Sequence, residues 1–119
     1  MASILFQVTH GPEAQSRVAL AFLVARTAVA EGHDVIVFLA AEGVTLLRDP
    51  VMDGVTGLGL GNVREHHDAI VAGGGKIYAS RMSSVARDID VDGLSERVTF
   101  ARPEDLVRLI VEHDKVLTY

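Results

Sequence analysis

Ser80, His10 and Glu42 are the residue types of a hydrolytic triad: a hydroxyl nucleophile, an imidazole base and a carboxylate to orient the base. They lie far apart in the chain, so only a fold that gathers three loops would join them. No Gly-x-Ser-x-Gly elbow surrounds Ser80, which sits between Tyr78-Ala79 and Arg81-Met82. Arg81 and Ser83 offer a second chemistry. A guanidinium fork beside the free amides of a helix start favours a small anion, whereas the plainer role for Ser83 is to cap that helix, with Arg81 solvated. His66-His67 invites a metal, but neighbouring helical side chains point about 100° apart and rarely chelate one ion; a polar helix face or a subunit contact is the expected role, and no metal is implied. Gly57-x-Gly59-x-Gly61 looks like a phosphate loop. It does not follow a first strand, so it fails as a dinucleotide fingerprint and reads as a flexible lid or an oligomer-contact loop, with no cofactor implied. The chain has no cysteine, which excludes disulfides, thiolate catalysis and Cys-ligated zinc or iron–sulfur clusters.

The candidate groups must be positioned by a regular scaffold. Ser3 to Thr9 and Asp34 to Ala40 are apolar on both faces, the pattern of strands covered by helices on each side. Between them His10-Gly11 turns the chain, Pro12 and Glu13 suit a helix start, and an Ala-rich run with Val18, Phe22, Leu23 and Val29 reaches Gly32. Strand, helix, strand in this order implies a right-handed parallel crossover. A short helix is expected over Val44 to Arg48, then a long glycine-dense connection from Asp49-Pro50 to Gly61. Asn62 is an N-cap for a helix from Val63 to about Ala72, ended by Gly73-Gly74-Gly75. Lys76 to Ser80 is a third strand, Ser83 to about Ile89 a short helix and Val98 to Phe100 a fourth strand. Pro103-Glu104-Asp105 opens a last helix whose buried stripe is Leu106, Val107, Leu109, Ile110 and Val111. Lys115 to Tyr119 is a fifth strand. The expected fold is a three-layer α/β/α sandwich around a five-stranded parallel sheet, Rossmann-like, formed by residues 1–119 as a single domain.

Composition narrows the partners. The chain has 119 residues, 49% apolar and 23% charged, which suits one globular domain. Its net charge of −5 repels phosphate backbones, so nucleic acid is not an expected partner. The apolar run Ile4 to Val8 is too short to span a membrane and no basic segment precedes it. A cytoplasmic location with no membrane partner is the expectation. A mean hydropathy of +0.29 in so small a chain suggests surface buried against another subunit.

In an open parallel sheet, ligands bind at the carboxyl ends of the strands. Three loops qualify: His10-Gly11-Pro12, Ala41-Glu42-Gly43-Val44 and Ser80-Arg81-Met82-Ser83. Ile4 to Gly11, Gly32-His33-Asp34-Val35 leading to Phe38 and Glu42-Gly43-Val44, Gly75 to Ala79 leading to Ser80 and Met82-Ser83, and the final Lys115 to Thr118 carry a resemblance over nearly the full length, from which Arg81 departs. The chain resembles the DsrE/DsrF/DsrH-like family of small sulfur-relay proteins. The resemblance implies a Rossmann-like domain assembling into trimers or hexamers, with a site at the strand carboxyl ends. In sulfur-transferring relatives a cysteine after the third strand carries persulfide, and Ser80 stands at the matching position. A hydroxyl cannot hold a persulfide. The leading expectation is therefore a non-catalytic homo-oligomer, in a sulfur-metabolism context, that binds a small ligand such as an anion or a protein partner. The ligand-binding residues would be His10, Gly11, Glu42, Gly43, Ser80, Arg81, Met82 and Ser83. Two other readings stand beside it: a small hydrolase using Ser80 and His10, and a structural subunit completing a hetero-oligomer with cysteine-bearing paralogues.

Overall fold

The computed structural model describes residues 1–119. In chain order the elements are β1 (Ser3–Val8), a 3-10 turn (Pro12–Ala14) running into α1 (Gln15–Ala30), β2 (Asp34–Leu39), 3-10 turns over Ala41–Leu47, and α2 (Asp49–Asp53). A small hairpin follows, β3 (Thr56–Gly57) and β4 (Gly61–Asn62), then α3 (Val63–Ala72), β5 (Lys76–Ser80), α4 (Arg81–Ala86), β6 (Thr99–Ala101), α5 (Pro103–Glu112) and β7 (Lys115–Thr118). The main sheet has the order β6-β5-β2-β1-β7 and is parallel throughout. β1 and β2 run in register from Ser3 opposite Asp34 to Val8 opposite Leu39.

The two-faced apolar pattern of these strands has a direct structural cause. Phe6, Val8, Val37, Leu39 and Ile77 meet α1 and α3 in the larger core, while the alternate residues Leu5 and Phe38 turn to the opposite face. α1 buries Ala19, Ala21, Phe22, Ala25 and Ala28; the alanines keep it close to its neighbours. α3 starts where the sequence placed it, with Asn62 Oδ1 accepting from the Glu65 amide at 3.2 Å.

Several expectations need correction. The helix expected over Val44–Arg48 is a run of 3-10 turns that begins three residues earlier, and the real helix comes next, as α2. Asp49-Pro50 opens α2 because proline is well tolerated in a first turn. Arg64 of α3 then ties α2 down, reaching Asp49 at 2.8 Å and Asp53 at 2.7 Å. The Gly57–Gly61 stretch is an ordered hairpin, not a loose loop. Gly59 and Gly61 take φ of +72° and +84°, which turns the chain tightly enough to pair Thr56 with Asn62. α4 starts two residues before the expected Ser83, because Ser80 is its cap.

α5 departs most. None of its side chains is buried. Leu106 and Leu109 pack against the Leu5 and Phe38 face of the sheet, but Val107, Ile110 and Val111 are 59%, 40% and 77% exposed. At about 100° per residue, the five apolar positions span an arc of about 200°, wider than one sheet face can cover. The sandwich is thus thin on this side, where α5 is the one helix.

Candidate functional site

The carboxyl ends of β1, β2 and β5 meet at one edge, and two glycines bring their loops together. A Cβ at Gly43 would strike the Val8 carbonyl, and one at Gly11 would lie 2.6 Å from Thr45 Oγ1 and 2.7 Å from the Glu42 carbonyl. Glycine is required at both by close approach. Thr45 Oγ1 donates to the Glu42 carbonyl at 2.7 Å and fixes the turn.

Ser80 ends β5 and caps α4. Its Oγ accepts from the Ser83 amide at 3.1 Å, and its carbonyl accepts from the buried Ser84 hydroxyl at 2.7 Å. Ser80, not Ser83, is therefore the cap. Ser83 reaches across instead, its Oγ accepting from the Ala41 amide at 3.0 Å. Ala41 has φ of +50°, a conformation that costs an L-residue about 1 to 2 kcal/mol, so this bond holds a strained turn in place. One turn further along, the guanidinium of Arg87 donates to Glu42 Oε1 at 2.6 Å and to the Ser83 carbonyl at 3.1 Å. Arg48 in turn donates to the Arg87 carbonyl. The Arg87 hydrogen bond, reinforced by its charge, holds the Glu42 carboxyl below the usual carboxylate range, and Glu42 raises the Arg87 guanidinium in return.

The eight predicted residues therefore separate. Glu42, Ser80 and Ser83 are brought into one hydrogen-bonded edge, with Gly11 and Gly43 set against it by close approach. His10 is not: its Nδ1 lies 3.7 Å from Glu13, and its Nε2 lies 3.4 Å from Arg17. Glu13 also accepts from the Gly11 amide at 2.6 Å, so His10 is engaged by its own loop. No hydrogen bond links His10, Glu42 and Ser80, and the triad is not assembled. Ser80 has an amide aimed at its oxygen and no base to take its proton. Arg81 has no ion-pair or side-chain hydrogen-bond partner, and Met82 is 66% exposed. None of the five main cavities is lined by any of the eight.

Arg87 is the residue that sequence reasoning missed. Its one visible signal is a cation at the end of a short helix, where carbonyls attract it; its partner Glu42 is 45 residues away and invisible to periodicity. The paired histidines diverge into separate roles. His66 is buried, with Nε2 2.7 Å from the Leu60 carbonyl and Nδ1 3.3 Å from the Arg26 guanidinium, while His67 Nδ1 lies 2.9 Å from Asp68. With a carbonyl before Nε2 and a cation before Nδ1, His66 is the Nε2–H tautomer.

Compared with family models, residues 2–119 match the DsrE/DsrF-like family. The chain belongs to that family. A comparison with curated proteins finds no match. Among solved structures, the DsrE-like chain resembles the ychN protein of E. coli, at TM-score 0.74 and 20% identity with 100% of both chains covered. The same values hold for a protein of unknown function from Methanobacterium thermoautotrophicum. A conserved protein of unknown function from Bacteroides thetaiotaomicron aligns at TM-score 0.68 and 12% identity, covering 98% of this chain and 94% of that one. At these identities the likeness is one of fold. No helix of this DsrE-like chain is long and apolar enough to cross a membrane.

Proposed function

We propose that this DsrE-like chain, acting as one domain over residues 1–119, works by binding and not by catalysis. It does so as a homo-oligomer, a trimer or hexamer, in a sulfur-related context. One observation carries the reading: the chain has no cysteine, and Ser80, which the resemblance sets at the family's sulfur-carrying position, serves with its oxygen as a helix cap. The loops around it remain tightly ordered by Glu42, Ser83 and Arg87, so the edge has kept a shape without a reactive atom. Beside it Arg81, Met82 and Val85 are exposed, the last two by 66% and 57%. A cation flanked by apolar side chains fits a protein surface that offers an acid among apolar groups, and Arg81 alone fits a small anion.

The test of the chemistry is sulfur loading. After incubation with a cysteine desulfurase and a labelled sulfur donor, the protein mass should be unchanged; a covalently bound sulfane sulfur would overturn the reading. The test of the cation uses sulfate as the minimal probe, titrated at low ionic strength. Arg81→Ala should weaken sulfate binding about tenfold or more, the worth of a charge-assisted hydrogen bond, and leave the melting temperature unchanged. Equal binding by both proteins would remove Arg81 from the site.

A further inference from the structure

On the far side of the Arg87–Glu42 clamp, the 3-10 turns after β2 and the irregular segment after α4 line an open cleft of about 380 Å³. That size falls in the range of small-molecule sites. Its charged lining has both signs. Arg48 and Arg97 face it with Asp49, Asp88 and Asp90. Asp49 is already engaged by Arg64, and Asp90 Oδ1 accepts from the Gly93 amide at 3.0 Å. Arg97 and Asp88 have no ion-pair or side-chain hydrogen-bond partner. Asp88 also takes φ of +56°. Leu47 and Leu94 also line it, and an adjoining hollow of about 40 Å³ is walled by Leu46 and the buried Met52 and Val98, with Arg64 and His67 at its polar side.

We infer that this cleft binds a small zwitterion with an apolar side chain, an α-amino acid of the leucine type. A simple anion would meet the carboxylates, and a simple cation would meet the two guanidinium groups. A zwitterion satisfies both: its carboxylate lies on the Arg97 fork, assisted by Arg48, and its ammonium lies toward Asp88 and Asp90. Its side chain then enters the hollow between Met52 and Val98. Arg48 also donates to the Arg87 carbonyl, so it lies between this cleft and the clamp. The site is separate from the Ser80 edge, so it stands whether or not that edge binds a partner.

The experiment titrates the whole chain with three probes at neutral pH and low salt: L-leucine, 4-methylpentanoate, which lacks the ammonium, and 3-methylbutylamine, which lacks the carboxylate. Calorimetry gives the affinities, and NMR follows the Gly93 and Leu94 amides. Leucine should bind at least about tenfold more tightly than either analogue and shift those amides, each lost charge-assisted contact being worth that much. Arg97→Ala and Asp88→Asn should each weaken leucine about tenfold while the amide spectrum stays folded, asparagine being at ease with a positive φ. Equal affinity for leucine and its analogues, insensitivity to Arg97→Ala, or unshifted Gly93 and Leu94 signals at millimolar leucine would each overturn the assignment.

Discussion

Ser80 and Arg87 divide between them the work that a reactive site would place on one residue. Ser80 orders the start of α4 through the Ser83 amide, and Arg87 closes the same helix onto the loop after β2 through Glu42. The clamp is electrostatic, so it responds to pH. The Glu42 carboxyl is held below its usual range in the folded chain, which means that folding favours its ionised form. That contribution is fully present above the unfolded-state value of about 4.3 and is lost as the pH falls through the lower, folded value. Glu42→Gln should therefore lower the melting temperature at pH 7 and have a diminishing effect toward pH 3. A melting-temperature difference that stays constant over that range would show that the pair gives no net stabilisation, as is common for exposed pairs.

At the scale of elements, the Gly57–Gly61 hairpin depends on α3 more than on its own two-residue strands. His66 sits beneath it with Nε2 on the Leu60 carbonyl, and Asn62 Nδ2 donates to the Asp53 carbonyl and to Thr56 Oγ1, both at 3.1 Å. His66→Ala leaves the Leu60 carbonyl without its partner and opens a gap, so it should cost about 1 to 3 kcal/mol in urea unfolding; a change below about 0.5 kcal/mol would mean that water replaces the ring. These elements also show how far the sequence could be read. β1, β2 and β5 were legible because strands covered on both sides must be apolar on both sides, and the Asn62 cap because its side chain acts locally. α2 was not, since Asp49-Pro50 serves a turn as well as a first helical turn. Nor was the Glu42–Arg87 clamp, which joins two loops through tertiary geometry alone. For the candidate site, sequence reasoning named five residues that the fold does bring to one edge, and placed His10 with them although Glu13 and Arg17 engage its ring.

For the whole molecule, the two faces of the sheet differ in cover. α1 and α3 bury one face behind fully enclosed Phe6, Phe22 and Ile70, whereas the other has α5 alone. Val107, Ile110 and Val111 of α5, and Val116 of β7, which lies beside Leu5 on this face, remain 37% to 77% exposed. An amphipathic pattern records that a helix has an apolar side and does not say whether sheet or another chain will cover it, so the sequence placed this whole stripe in the core. Four exposed aliphatic side chains on one side of the sheet, Val107, Ile110, Val111 and Val116, are apolar surface of the kind that another subunit covers, and β7 adds a free edge. Self-association through this face is the expected consequence. By light scattering at micromolar concentration the protein should run as a trimer or larger, and Val107→Lys with Val111→Lys should dissociate it. Both positions are exposed in the isolated chain, so the double variant should keep its circular dichroism and melt within a few degrees of a monomer's expected range. A wild-type protein that is monodisperse and monomeric would reject the oligomer outright. An oligomer indifferent to the two lysines would place its interface elsewhere, with the Arg81, Met82 and Val85 surface the next candidate.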